Sequence, residues 1–269
     1  MLSELTLFII LAYALAGLFA GLIGGMLGLG GGIIIVPVLH YLFLQQNFPS
    51  VTLMQMAVTT SLATIVVTAI SATYVHHKKG AVIWSSVYKL ALGIMFGACF
   101  GALLADTVSS NFLRITFGIF EILVAIQIGM EFKPKAKMSL PGTTGLVFSG
   151  GGIGFLSTLL GIGGGTLTVP FLLFCNVNIR NAVAISSACG LPIAVAGSTA
   201  MIIAGWNNYD VPVHSFGYLY WPAALIIMMM TVFFAPLGAR LAHYLPIAIL
   251  KRIFAIVLVI VGLKMLIQV

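Results

Sequence analysis

The feature that most constrains this chain is a series of apolar runs, many of them close to 20 residues long. A helix needs about 20 apolar residues to cross roughly 30 Å of hydrocarbon. Because lipid offers the backbone no hydrogen-bond partners, each run is expected to be helical. The sequence predicts an all-α polytopic membrane protein with eight full spans and two short returning half-helices, 32–44 and 165–176. The ten segments are 5–27, 32–44, 51–75, 82–105, 111–130, 143–160, 165–176, 181–204, 217–242 and 246–268.

The composition excludes a water-soluble domain, because 61% of the residues are hydrophobic and only 6% are charged. Soluble domains carry about 25% charged residues. The net charge of +7 lies mostly in short connections between apolar runs, where Lys and Arg set the orientation of a membrane protein. No basic cluster alternates with aromatic residues, so nucleic-acid binding is not expected.

The chain contains an internal duplication. Residues Leu27–Pro37 read LGLGGGIIIVP, and Leu160–Pro170 read LGIGGGTLTVP, 133 residues later. The block AVTTSLAT at 57–64 likewise matches AVAISSAC at 182–189, and GALLA at 101–105 matches GARLA at 238–242. The polar segment EFKPKAKMSLP lies between the copies. We therefore predict an N-terminal membrane repeat over 1–130, a cytoplasmic linker over 131–141 and a C-terminal membrane repeat over 142–269.

Lys and Arg positions predict how the chain crosses the membrane. With the loop His76–Gly80 in the cytoplasm, the lysine-rich linker and the turn around His243–Arg252 also face the cytoplasm. Of the twelve Lys and Arg residues, only Arg114 and Lys264 then fall outside. Each repeat has five segments, an odd number, so the two repeats are inverted if each glycine motif is a turn that returns. Both termini are then extracytoplasmic.

The glycine triplets predict an anion site. Glycine in a helix interior costs about 1 kcal/mol relative to alanine, so three in succession need a reason. Each triplet is followed by a short segment whose N-terminus carries free N–H groups and a positive dipole end at membrane depth. Two such ends related by inversion can bind an anion near the midplane. The predicted substrate-binding residues are Gly30, Gly31, Gly32, Thr60, Ser61, Gly163, Gly164, Gly165, Thr166, Ser186 and Ser187.

Each of these residues also has a structural alternative. Glycine often serves close helix packing in membranes, the role expected of Gly97 and Gly101, and hydroxyls often bond the carbonyl four residues earlier. Glu121 lies in the middle of a span, where a carboxylate is expensive, and is either a proton-coupling residue or a hydrogen-bonded structural one. Arg240 near the cytoplasmic edge either snorkels or attracts anions to the inner mouth.

The doubled LGLGGG…VP and LGIGGG…VP motifs, together with the TTSLAT, GLP and GARLA segments, resemble the sulfite exporter TauE/SafE family over essentially the whole chain. This resemblance implies a carrier of sulfur-containing anions such as sulfite, sulfonates or related organic acids.

The leading functional hypothesis is a secondary transporter of small anions in the inner membrane, working by alternating access between the two repeats. No P-loop motif is present, so ATP is not expected to drive transport within this chain. No cofactor is expected either, and no histidine pair has metal-ligand spacing. An anion channel is the first alternative, and a membrane-embedded enzyme is a weaker one because no nucleophile and base share a depth. The expected partners are a small anion and lipid, and a homo-oligomer stays open.

Overall fold

The computed structural model describes residues 2–28, 30–129, 139–241 and 247–267. Within these ranges the chain forms ten α-helices and one two-stranded antiparallel hairpin. The helices of the first repeat are α1 Leu2–Leu27, α2 Gly32–Gln45, α3 Leu53–Lys78, α4 Trp84–Thr107 and α5 Ser110–Gly129. Those of the second are α6 Thr143–Leu160, α7 Gly165–Phe174, α8 Ile179–Ala204, α9 Trp221–Leu241 and α10 Ile247–Ile267. The hairpin strands are β1 Ser215–Phe216 and β2 Leu219–Tyr220.

The predicted all-α membrane fold is confirmed, since each of the ten predicted segments corresponds to one helix. Seven helices in the described ranges are long and apolar enough to span, and α2 and α7 are short apolar helices, as predicted. The side chains of α10 are described from Phe254 onward, and that part is a further apolar stretch. Most of the predicted linker lies outside the described residues, because the structure leaves out 130–138, and so does part of the basic turn around His243–Arg252.

Predicted and observed boundaries differ by a few residues, and one of these differences has a local cause. The segment 217–242 was expected to be helical from its first residue, but α9 begins at Trp221. Gly217 has φ +54°, a left-handed conformation that turns the chain between β1 and β2 instead of starting a helix. The hairpin is held to the bundle by Tyr218, whose hydroxyl donates to Asp106 of α4 at 2.7 Å.

The connection between α1 and α2 folds the chain back on itself. Gly28, Gly30 and Gly31 have φ values of +69°, +72° and +81°, which β-carbon-bearing residues rarely adopt. A Cβ atom built on Gly31 would lie 2.9 Å from the carbonyl oxygen of Ala20, eleven residues earlier. The glycine motif therefore turns against the preceding helix and does not continue it as one long helix.

The helices pack mainly across the two predicted repeats. The most extensive contacts pair α1 with α9, α4 with α6, α3 with α8 and α5 with α10. If the helices of each repeat are numbered one to five, the first helix of each repeat packs on the fourth helix of the other. The third helices pack on each other, and so do the fifth helices. Each pair therefore maps onto another pair or onto itself when the repeats are exchanged. The span α3 is the most buried, and with α8 it forms the centre of the bundle.

Candidate functional site

The two glycine motifs meet in the middle of the bundle. We call Gly28 and Gly30–Gly32 the first glycine turn, and Gly161–Gly165 the second glycine turn. A Cβ atom built on Gly30 would lie 3.0 Å from the Cα atom of Gly163, and one on Gly32 would overlap the carbonyl oxygen of Gly161. A side chain at Gly32 would overlap the opposing backbone, and a methyl at Gly30 would press against it.

Each glycine turn also packs on the long central helix of the other repeat. A Cβ atom on Gly28 would lie 2.7 Å from a methyl of Val183 in α8, and one on Gly161 would lie 2.8 Å from the Cα atom of Val58 in α3. Val58 and Val183 occupy the same position in the AVTTSLAT and AVAISSAC blocks. The contacts are reciprocal, so each repeat holds the backbone break of the other.

A small cavity lies beside the first glycine turn. Its walls come from the end of α1, the later part of α3, the early part of α8 and the second glycine turn. The lining residues are Gly24, Gly28, Gly30, Ile65, Thr68, Ala69, Ala72, Gly164, Ser186, Ser187 and Gly190. None of them is charged, so the polar groups that face the cavity are hydroxyls and backbone.

The second repeat supplies a set of buried hydroxyls that have no hydrogen-bond partner among the described residues: Ser157, Thr158, Thr166, Thr168 and Ser186. The corresponding first-repeat residues at the first four positions are Gly24, Gly25, Ile33 and Ile35, which carry no hydroxyl. An unsatisfied buried polar group costs about 1–3 kcal/mol. Buried polar groups of this kind are usually satisfied by ordered water or by a ligand.

Comparison with known proteins identifies the family. The family model described as sulfite exporter TauE/SafE matches residues 13–265. The chain belongs to the sulfite exporter TauE/SafE family. A probable membrane transporter protein of Haemophilus influenzae is 36% identical over 258 residues, which cover 95% of this chain and 97% of the relative. The probable membrane transporter protein YunE of Bacillus subtilis is 31% identical, covering 93% of this chain and 94% of its own length.

A third relative is less similar in sequence but matches over nearly the same length. A probable membrane transporter protein of Methanocaldococcus jannaschii is 27% identical over 254 residues, covering 94% of this chain and 93% of the relative. Family membership, the names of the relatives and the apolar helices together establish this TauE/SafE protein as a multi-pass membrane transporter. The same names indicate a transporter and not an enzyme.

Four of the predicted site residues of this TauE/SafE protein line the cavity: Gly30, Gly164, Ser186 and Ser187. Gly31, Gly32, Gly163 and Gly165 belong to the two touching turns but do not line it. Thr166 is buried at the start of α7 with an unpartnered hydroxyl. Ser187 lines the cavity, and its hydroxyl donates to the carbonyl of Val183 at 2.9 Å, so its hydrogen is already used within α8.

The two predicted hydroxyls of the first repeat lie elsewhere. The Ser61 hydroxyl donates to the carbonyl of Gly161 at 2.8 Å and so holds the second glycine turn. Thr60 accepts the backbone N–H of Tyr220 at 3.1 Å, which ties the hairpin to α3. Both groups are fully buried and are used within the protein.

The two charged candidates, Glu121 and Arg240, are not among the residues that line the cavity. Glu121 in α5 is 1% exposed and faces α10, where a Cβ atom on Gly262 would lie 3.5 Å from its own Cβ. Neither carboxylate oxygen has a hydrogen-bond partner among the described residues. The alternative prediction, a hydrogen-bonded structural role for Glu121, is therefore not supported by a hydrogen bond among these residues. Arg240 is exposed in the last turn of α9.

Sequence analysis missed Thr68 and Thr168. Thr68 lines the cavity, and Thr168 carries an unpartnered hydroxyl close to Gly164, whose Cβ position is 3.3 Å from the Thr168 oxygen. A signal for Thr168 was present, because the motif reads TLT after the second triplet but III after the first. Thr68 has no comparable signal, since its repeat counterpart is Ile193.

Proposed function

We propose that this protein is a secondary transporter that carries small sulfur-containing anions, such as sulfite or a sulfonate, through the cavity between the glycine turns, α3 and α8. The observation that carries the proposal is the Ser186 hydroxyl, which is fully buried, unpartnered and part of the cavity wall. Its residue also adjoins the start of α7, because a Cβ atom on Gly164 would lie 3.5 Å from the Ser186 carbonyl oxygen.

The donors at this place suit an oxyanion. The first N–H groups of α7 have no partner within the helix, and the helix dipole favours negative charge at its N-terminus. An anion at bilayer depth has lost its water, which is costly unless other donors replace it. The hydroxyls of Ser186, Thr166 and Thr168 supply such donors without a fixed positive charge. A site without charged side chains holds the anion weakly enough to release it as well as bind it, and a carrier requires both.

A difference between the repeats supports alternating access. Ser61 bonds the Gly161 carbonyl, whereas Ser186, its counterpart, has no partner and adjoins a cavity. On the side that corresponds to the cavity, Leu62 takes the position of Ser187, and a Cβ atom on Gly197 would lie 3.1 Å from a Leu62 methyl. Ser187 lines the cavity, whereas its counterpart Leu62 packs against Gly197. If Ser186 gained a bond like that of Ser61 while Ser61 lost its own, the site would open on the opposite side.

The test of this function is transport by the full-length protein in proteoliposomes. Saturable uptake of sulfite or a small sulfonate is expected, together with counterflow, in which unlabelled anion on one side drives labelled anion from the other. A Ser186→Ala variant should lower the rate at limiting substrate about tenfold, the effect of losing about 1.4 kcal/mol of binding. Uptake without saturation or counterflow would favour the channel, and no flux of any sulfur oxyanion would contradict the substrate class.

The proposed orientation places the protein in the inner membrane with both termini extracytoplasmic. It rests on the distribution of Lys and Arg and on the odd number of segments in each repeat. A reporter that is active only in the cytoplasm, fused after Val269, should therefore be inactive, while the same reporter inserted after Gly80 should be active. Strong activity at Val269 would contradict the inverted arrangement.

Glu121 is the proposed proton-coupling residue. An ionised carboxylate without a partner inside a span costs several kcal/mol, and a bound proton removes that cost. Glu121→Gln is expected to abolish the dependence of transport on a pH gradient while substrate affinity changes less than twofold. Asp210→Asn, which alters an exposed carboxylate in the loop before the hairpin, is the control and should leave that dependence intact. If both variants keep the pH dependence, Glu121 does not carry protons.

A further inference from the structure

A second polar cluster lies apart from the transport cavity, where α5 begins and α10 ends. It contains Arg114 and Lys264, the two cations that do not follow the predicted cytoplasmic distribution. The Arg114 guanidinium donates to the backbone carbonyl of Met265, the neighbour of Lys264, and to the side-chain oxygen of Asn111 at 2.6 Å. The Lys264 ammonium lies 4.3 Å from the ring centroid of Tyr41 in α2.

Lys264 lines a small pocket between α2 and α10, and Arg114 adjoins it through its bond to Met265. The residues that line it are Pro37, His40, Tyr41, Val261, Lys264 and Met265. His40 is 5% exposed, and neither of its ring nitrogens has a hydrogen-bond partner among the described residues. Arg114 lies near enough to His40 to act on it electrostatically. A neutral imidazole carries one N–H donor and one acceptor, so a buried ring without either bond requires a missing partner.

No described carboxylate neutralises this charge. Glu121 lies two turns from Arg114 along α5, but both of its carboxylate oxygens are unpartnered. A guanidinium has five N–H donors, and only two of them are accounted for by Met265 and Asn111. The Lys264 charge and the unpartnered His40 imidazole line the pocket, and the spare N–H donors of Arg114 lie beside it, next to the lining residue Met265. An oxyanion group satisfies all three, because it accepts several hydrogen bonds and carries negative charge.

We propose that Arg114, Lys264 and His40 form a second oxyanion site, separate from the transport cavity. The group that it binds is a tetrahedral or pyramidal oxyanion, supplied either by a free sulfur or phosphorus oxyanion or by the phosphate of a membrane lipid. Arg114 provides a fixed guanidinium, Lys264 provides a mobile charge at the exposed edge, and His40 provides a ring N–H from the buried side. The site does not depend on the identity of the transported anion.

The test uses the purified full-length protein with two kinds of probe. In a neutral detergent, binding of inorganic sulfate and phosphate is measured by calorimetry. In nanodiscs, retention of phosphatidylglycerol against phosphatidylcholine is measured by native mass spectrometry. For whichever of these probes binds the parent protein, Lys264→Gln is expected to weaken the affinity about tenfold. Lys264→Arg should retain most of that affinity. Because the Lys264 side chain is exposed, neither variant threatens the fold.

Two further variants separate this site from others. Ser186→Ala alters the transport cavity and should leave binding at the second site unchanged, so failure of the transport proposal and failure of this one can be told apart. Arg180→Gln removes an exposed cation at the start of α8 and should also have no effect. Sulfate or phosphate binding that responds to Lys264 identifies a free-anion site, and phosphatidylglycerol retention that responds to it identifies a lipid site. Equal binding of all three probes by the parent and Lys264→Gln would overturn the proposal.

Discussion

Replacing Gly97 with alanine is expected to remove most of the folded, monodisperse protein. A Cβ atom at this position would overlap the carbonyl group of Gly151, where α4 and α6 approach backbone to backbone. Gly93 and Gly101, one turn away on either side, meet the carbonyls of Val147 and Phe155 in the same way. Relief of the overlap requires the helices to separate along this seam. Close packing of small residues is a main source of helix association in lipid, where hydrophobic burial contributes little.

Gly97→Ala is expected to lower the stability of the folded protein by an amount at or above the upper end of the roughly 1–3 kcal/mol typical of overpacking. The reason is that the obstacle is backbone, which cannot move aside by changing rotamer. The measurement is detergent-extracted yield and apparent melting temperature, followed by size-exclusion chromatography. Gly152→Ala is the matched control, since it lies on the same helix as Gly151 and its Cβ position has open space around it. Equal yields for Gly97→Ala and Gly152→Ala would show that the seam tolerates a methyl and that the helices adjust.

The helices could be predicted because the bilayer leaves the chain few alternatives. An apolar run of the right length must be helical, and the predicted segments that begin at 32 and 165 agree with the starts of α2 at Gly32 and α7 at Gly165. The hairpin around Gly217 was not predicted, because it lies at the edge of an apolar run that hydropathy alone assigns to the next helix. The packing role of Gly97 and Gly101 was also expected and is confirmed.

The site could be predicted only in part, because its hydroxyls look alike in sequence and differ in their distant partners. Ser61 and Ser186 occupy equivalent positions, yet Ser61 is bonded to Gly161, 100 residues away, whereas Ser186 has no partner. Thr60 is bonded to Tyr220, 160 residues away. Local pattern cannot reveal either bond. The glycine triplets were a better guide, since their conformational demand is local, and Gly30 and Gly164 both reach the cavity.

The glycines of the two turns do not have the same role, and this decides which substitution tests the anion site. At Gly31, the φ of +81° and the close approach of the Ala20 carbonyl oxygen make Gly31→Ala a test of the turn. Gly164 has φ −56° and ψ −21°, which alanine adopts without strain. Its Cβ position lies 2.9 Å from the terminal methyl of Ile193, a flexible atom that can move. Gly164 also lines the cavity and caps α7.

Gly164→Ala is therefore expected to preserve folding and to abolish transport. Replacing glycine with alanine lowers the conformational entropy of the unfolded chain, which at a compatible position stabilises the folded protein by about 0.4–1 kcal/mol. This gain offsets the energetic cost of displacing the Ile193 methyl. The added methyl blocks access to the first N–H groups of α7. In the proposed site these groups replace the water that the anion has lost. We expect yield and melting temperature close to those of Gly152→Ala, with substrate affinity weakened more than about tenfold, or 1.4 kcal/mol. A Gly164→Ala protein that binds and transports sulfite like the parent would mean that the anion does not approach the N-terminus of α7, and the hydroxyls of the second repeat would then need another partner.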